Sequence, residues 1–508
     1  DTVTGLTTLA VSGTTAINSS DITSTLTQDY TGAVTLGDDI TLSGQGISFI
    51  STLVSDGTNR ALMVNDSGTT TFGGVVGSTI AADQLSSLTT DAGGSTAING
   101  GAVYTTATQT YNDNVTLGAD TTLSGTTVTT NGTLDGVTHS LNVVGDAVLG
   151  DAIGDTVSNL STLAVSGTTA INNSAITSTG TQDYTGAVTI GADTRLTTTN
   201  ATVTFGATID SLASAAQSLT VNAGNGDVNL MDVVGAGTNG ALGSITLTGN
   251  NLTLHYVTTT GEQTYNGTIN TNSTYTSNGS NITFNGDLTL NDALVVTTGA
   301  GAGTITFTGT LESQTSEMNT LDLTAGTGDI ALQGAVGTTQ ELGAININSA
   351  TNVTTSSTIN AASLTQLAGS GLTTIGGAVA LSSVEGASLT GTNLVLNATV
   401  DTATAALGGT VTTNQSGTAT ISASGDINAD GAVSITAAGG ISTAGDITTT
   451  GDDITLASAT TLTGNVVLST GGATGAINFA STIDGAYALR LLSGAAQSFN
   501  AVGSTTPL

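Results

Sequence analysis

The stretch Ala419–Leu468, ATISASGDINADGAVSITAAGGISTAGDITTTGDDITLASATTLTGNVVL, decides the fold. Ile421, Ile427, Val433, Ile435, Ile441, Ile447, Ile454 and Leu456 recur in short apolar alternations between Gly-containing turns. Alternation with period two puts those side chains on one face of a strand, while Gly-Asp and Gly-Gly supply the positive-φ turns between strands. No segment is long enough to stand alone. Stacked as rungs of a coil, each strand pairs with the strand above and below, and the aliphatic side chains join into one column. The Gly-Asp-Ile triplet at Gly425 returns at Gly445, which sets the rung at roughly 20 residues and predicts about 25 rungs. The predicted fold class is therefore all-β, an elongated parallel β-helix or β-solenoid.

Composition points the same way. The chain has 69 Gly, one Pro, no Cys and no Trp, and only 8% of it is charged. Disorder requires low hydrophobicity and dense charge, whereas 38% of residues here are hydrophobic and scattered in short runs. Aromatics are only 3%, too few for one large globular centre, and the surplus of Thr, Val, Ile and Gly disfavours helix. Proline is nearly absent because each strand must donate to its neighbour's ladder.

Asp and Glu total 36 against Arg60, Arg195 and Arg490, a net charge of −33 that repels nucleic acid. The lack of Cys removes disulfides, thiolate metal sites and a Cys nucleophile, and suits passage through an oxidising compartment. The apolar runs fall far short of the roughly 20 residues of a membrane helix, so no membrane insertion is expected.

Repetition occurs on a larger scale too. Residues 1–39, DTVTGLTTLAVSGTTAINSSDITSTLTQDYTGAVTLGDD, return at 155–193 with eight differences, and a weaker copy starts near Asp83. A second block from Ala201 returns from Gly303, pairing Phe205 with Phe307 and Asp227 with Asp329. It begins again at Gly475, with Phe479 in the Phe205 position, and stops in mid-repeat. The expectation is one continuous solenoid, 1–508, cut from a longer protein, with repeat units at 1–82, 83–154, 155–250, 251–350 and 351–508.

GDINADGAVSITAAGGISTAGDITTTGDDITL (425–456) resembles the repeats of the filamentous haemagglutinin family of giant bacterial surface proteins. TQDYTGAVTLGDDITL (27–42) and TQDYTGAVTIGADTRL (181–196) resemble repeats of very long secreted proteins of Gram-negative bacteria. The resemblance implies a right-handed parallel β-helix, export through an outer-membrane partner, an extracellular or cell-surface location, and a role in adhesion or filament building.

Polysaccharide lyases and hydrolases also use parallel β-helices, and fold alone does not decide between them and a fibre. Lyase chemistry wants a basic side chain, yet there is no Lys and the three Arg are far apart in sequence. Hydrolysis wants clustered carboxylates, whereas His139 and His255 each stand alone in strand-like sequence. No enzyme and no catalytic residue are expected. Thr-x-Thr steps such as Thr202–Thr204 and Thr246–Thr248 raise an ice-binding reading, but their spacing is irregular. The acid pairs Asp38–Asp39 and Asp452–Asp453 are the candidates for calcium, which collects several oxygens, although Gly-Asp is also ordinary turn chemistry. No other cofactor is expected.

Tyr30, Tyr111, Tyr184 and Tyr265 all follow Gln by two positions. Either each ring covers a coil corner while its Gln bonds a turn, or the rings form a surface row where neighbouring chains or glycans dock. The predicted function is the structural subunit of an extracellular fibre built by self-association of identical chains. The alternative is the spacer stalk of an adhesin whose separate domain meets glycans or a host surface.

Overall fold

Short strands whose residues run inside, half-exposed, inside can bury only one side, so they must close around a shared interior. Val188–Ile190, Ile305–Phe307 and Ile441–Thr443 show this pattern, and their Val, Ile and Phe side chains are buried. The structure is a computed structural model describing residues 1–508 apart from 213–215, 237–239, 272, 404–406, 473, 504–505 and 508. Its strands stack in parallel as a β-solenoid of about 23 turns, about 21 residues apart. The turns are slightly fewer and longer than the triplet spacing predicts, because some corners widen, as between Ser313 and Leu321. Ala81–Asp83 forms a 3₁₀ turn, and among the described residues no helix is long and apolar enough to cross a membrane.

By contact the chain falls into two compact units, Asp1–Thr253 and Leu254–Leu508. In the first unit the turns build three parallel faces, most through one short strand each; Val76 holds one face by isolated bridges, and the long strands Thr121–Thr130 and Leu141–Leu149 each serve two faces. Face A runs through Asp21–Ser24, Ile40–Gly44, Ala61–Asp66, Ser87–Thr90 and Thr108–Tyr111. Face B runs through Leu9–Val11, Gln28–Tyr30, Ile47–Phe49, Thr69–Phe72 and Ser95–Ile98. Face C includes Leu141, Asn142 and Val143 at the start of a longer strand, then Leu163–Val165, Gln182–Tyr184, Val203–Phe205 and Val228–Leu230.

The second unit repeats the plan with three faces of its own. Face D includes Ala387–Gly391, Val411–Gln415, Val433–Ala437 and Ile454–Leu456. Face E includes Val353–Thr355, Leu372–Ile375, Asn393–Leu396, Ala419–Ile421, Ile441–Thr443 and Thr460–Leu462. Face F includes Val379–Leu381, Val400–Asp401, Ile427–Ala429 and Ile447–Thr449.

The register makes the cores of these faces columns of like side chains. Ile435 lies over Leu456, Ile427 over Ile447, and Phe284 over Phe307, all nearly solvent-free. Each such side chain contributes about 1.5–3 kcal/mol of burial, which a lone three-residue strand could not collect. The corners are tight enough to demand glycine: a Cβ on Gly334 would overlap the Gly309 carbonyl, and one on Gly309 would overlap that of Gly286.

The two long copies, 1–39 and 155–193, are 154 residues apart, which at about 21 per turn is about seven and one-third turns. Pairing confirms the odd third. Leu9–Val11 lies on face B, whereas its counterpart Leu163–Val165 lies on face C. Nearly the same sequence thus faces two directions.

Candidate functional site

The recurrent Gln-x-Tyr motif is internal. Gln and Tyr two apart on a strand point the same way, and here they point inward among the aliphatic columns. Tyr30 and Tyr184 are 1% exposed, and Tyr111 and Tyr265 are 0%. Gln28 Nε2 donates to Ile22 O (3.1 Å) and to Ser43 O on the following turn (2.9 Å), and Tyr30 hydroxyl donates to Gln28 Oε1 (3.0 Å). The arrangement returns at Gln109–Tyr111, where the amide reaches Val103 O and Ser124 O and the phenol gives 3.1 Å to Gln109 Oε1. Gln182 reaches Ile176 O and Thr197 O, and Gln263 reaches Val257 O and Thr276 O. Each motif is an internal staple between two turns, closed by a tyrosine that satisfies the amide oxygen.

Burial pushes all four phenols above the ordinary tyrosine range, so they stay protonated as donors. Three of the rings also start aromatic stacks. Tyr30 lies 5.2 Å from Phe49, which lies 5.8 Å from Phe72. Tyr184 meets Phe205 at 5.2 Å, and Tyr265 meets Phe284 at 5.2 Å. In the first unit Tyr111 is on face A, Tyr30 on face B and Tyr184 on face C. The surface-contact reading of these tyrosines is corrected on both counts: the rings are enclosed, and they do not share a face.

Three of the four acids proposed for calcium have backbone partners. Asp39 Oδ1 accepts from Ala61 N at 2.9 Å, Asp38 Oδ1 from Asp39 N at 2.9 Å, and Asp453 Oδ1 from Ala476 N at 2.7 Å. Asp452 lies beside Asp453 at an exposed corner, its carbonyl accepting the Thr449 hydroxyl. Among the described residues no three His, Asp or Glu side chains come together as a metal site.

Sequence reasoning missed the wider pattern to which Asp39 and Asp453 belong. An Asp or Asn at a corner caps the backbone amide of the residue in the equivalent position one turn on. Asp120 does so at Ser140, Asp146 at Thr168, Asp193 at Ser218, Asp287 at Thr310 and Asp446 at Val467, all within 2.7–2.9 Å. Asn114 and Asn393 do the same at Thr133 and Thr418. The backbone donors hold the Asp120 and Asp287 carboxylates below the ordinary value. An Asp or Asn immediately before the first inward residue of a strand was the available signal.

One acid behaves differently. Asp113 is 5% exposed and accepts the Thr90 and Thr96 hydroxyls at 2.8–2.9 Å, and burial raises its pKa despite those bonds.

The remaining candidates are scattered. His139 Nδ1 is 3.7 Å from Asp120 Oδ1, at an exposed corner. Arg60 makes a two-pronged pair with Asp56 at 3.1 Å, and Arg195 reaches the Thr197 hydroxyl. The surface groove around Thr41, Met63 and Thr89 holds one carboxylate, Asp39, and that around Asn360 and Ser382 holds only Glu341. Thr204, from the ice-binding steps, stands between Asp183 and Asn229 in its column. Thr246 follows Thr220 and Arg195.

No protein-family model, no curated protein and no solved structure matches the chain. The β-solenoid is compatible with a β-helix repeat protein, and its chemistry must be read from its own residues.

Proposed function

We propose that the chain is a structural subunit of an extracellular bacterial fibre of the filamentous haemagglutinin type, acting through stacked turns and self-association. One observation carries this reading: the recurrent polar residues are used to join one turn to the next. Gln28, Gln109, Gln182 and Gln263 staple turns internally, and Asp or Asn caps join them at the corners. Such selection for cohesion suits a protein whose work is length and stiffness. In this reading no reaction is catalysed, no cofactor is held, and the principal partners are identical chains. Export by a Gram-negative bacterium, to the cell surface or biofilm, belongs to the same proposal.

The spacer stalk of an adhesin is the second reading, favoured by the net charge of −33, which keeps like chains apart. Negative-stain electron microscopy of the purified chain separates the two. Bundles or filaments of unlimited length support the fibre, whereas single rods of one length support the stalk and overturn the fibre.

A further inference from the structure

The second unit distributes its charge unevenly around the coil. Between Thr274 and Leu462 there are 14 acids and no Lys or Arg. Seven lie at the corner leading from face F to face D: Asp292, Glu317, Glu341, Glu385, Asp430 and the Asp452–Asp453 pair. Three, Asp287, Asp426 and Asp446, lie at the corner from face E to face F, and Glu312 and Asp401 lie on strands of face F. Only Asp322 and Asp329 remain for faces D and E and the corner between them. Both are engaged, Asp322 by Asn346 Nδ2 at 2.8 Å and Asp329 by Asn352 N and Nδ2 at 2.9 Å.

The side so depleted of charge is ordered. On face E the outward residues Thr354, Thr374, Val395, Thr420, Ser442 and Thr461 follow one another in register. On face D, Thr365, Ser388, Thr412, Ser434 and Thr455 do the same. At the corner joining the two faces, Leu367 is 60% exposed and Leu372 is 40% exposed.

We infer that faces D and E are the side through which this unit packs laterally against a second copy of the chain. The inference rests on the fibre reading and names the surface that reading requires. Charge decides the orientation. Screening at about 0.15 M salt acts over roughly 8 Å, so acidic corners brought face to face would repel across their whole length. Packing through D and E instead turns those corners outward into solvent. What then meets is a lattice of hydroxyls at the strand spacing of about 4.8 Å, able to interdigitate and exchange hydrogen bonds, with Leu367 and Leu372 shielded from water.

The test is sedimentation velocity on the full chain with two sets of substitutions. Thr374→Asp with Thr420→Asp places charge on face E, and Asn428→Asp with Thr448→Asp places the same charge on face F. Far-UV circular dichroism and melting temperature establish that each variant is folded as the parent. The expected result is association of the parent, weakened at least tenfold by the face E pair and altered less than twofold by the face F pair. Association of the parent should strengthen as sodium chloride is raised, because the residual repulsion is screened. If the face E pair associates like the parent, or the face F pair is the one that disrupts, the assigned surface is wrong while the fibre reading stands. A parent that stays monomeric at tens of micromolar overturns both. A monomeric parent that binds an insoluble neutral polysaccharide through the same threonines replaces the second copy with a glycan.

Discussion

Gln263 and Gln415 are both buried in the second unit, yet their surroundings differ. Gln263 Nε2 donates to Val257 O, to the Thr259 hydroxyl and to Thr276 O, and its Oε1 receives the Tyr265 hydroxyl at 3.0 Å. Gln415 Nε2 donates to Leu389 O at 2.7 Å, but its Oε1 has no partner among the described residues. Two positions beyond Gln415 stands Gly417, where the other motif has tyrosine. The contrast shows what the tyrosine is for. Leaving a buried acceptor unmade costs about 1–3 kcal/mol, comparable with the packing gain of the ring itself.

The largest way to break the contrast is to empty the tyrosine site. Tyr265→Ala removes a ring stacked 5.2 Å from Phe284 and orphans Gln263 Oε1. It should lower the local opening free energy, read by native-state hydrogen exchange in the surrounding turns, by about 3–5 kcal/mol. Tyr265→Phe keeps the ring and removes only the donor, so its cost should be about 1–3 kcal/mol. Equal costs for the two variants would show that the hydroxyl bond contributes little beyond the ring.

A sharper and smaller test changes Gln415→Met. One good bond is lost and one unpaired acceptor removed, so the net change should stay within about 1 kcal/mol. A loss as large as that of Gln263→Met would mean that Gln415 is as well satisfied as its counterpart.

The smallest effect concerns the corner caps. Asp287 is held below the ordinary carboxylate value by the Thr310 backbone N–H and hydroxyl, so its ionised form stabilises the fold. That contribution is present above the unfolded value near 4 and is lost as pH falls through the lowered folded value. Asp287→Asn keeps the acceptor oxygen and cannot titrate. The melting temperature of the parent should exceed that of the variant at neutral pH, and the gap should close under acid. A gap unchanged with pH would remove charge from the role of the cap. Asp113, whose value burial raises, works in the opposite sense and should favour the fold as it protonates.

How much of this was legible depends on the range of the signal. Ile427, Ile435, Ile441 and Ile447 announced their inward direction because strand alternation is local, and all four are buried. The rung length was nearly readable from one repeated triplet. The inward direction of Tyr184 was readable too, since Gln182 and Tyr184 share phase with each other and with a buried column. It went unresolved because a buried Gln is costly unless its partners are supplied, and one of them, Thr197 O, comes from the next turn. The caps were hidden for the same reason: Asp287 and Thr310 are 23 residues apart, linked only through the coil. The charge-poor side of the second unit lay furthest from view. It emerges only when turns of unequal length are added together and each acid is assigned to a corner.

The one-third turn separating residues 1–39 from 155–193 has an evolutionary consequence. Because a Leu-x-Val or Gln-x-Tyr strand fits face B or face C alike, an inserted copy need not comprise a whole number of coils. A whole number of strands suffices. Unequal recombination therefore has three times as many in-phase landing points as a solenoid with distinct faces would allow. Such a gene can lengthen or shorten its product in small steps without leaving the fold.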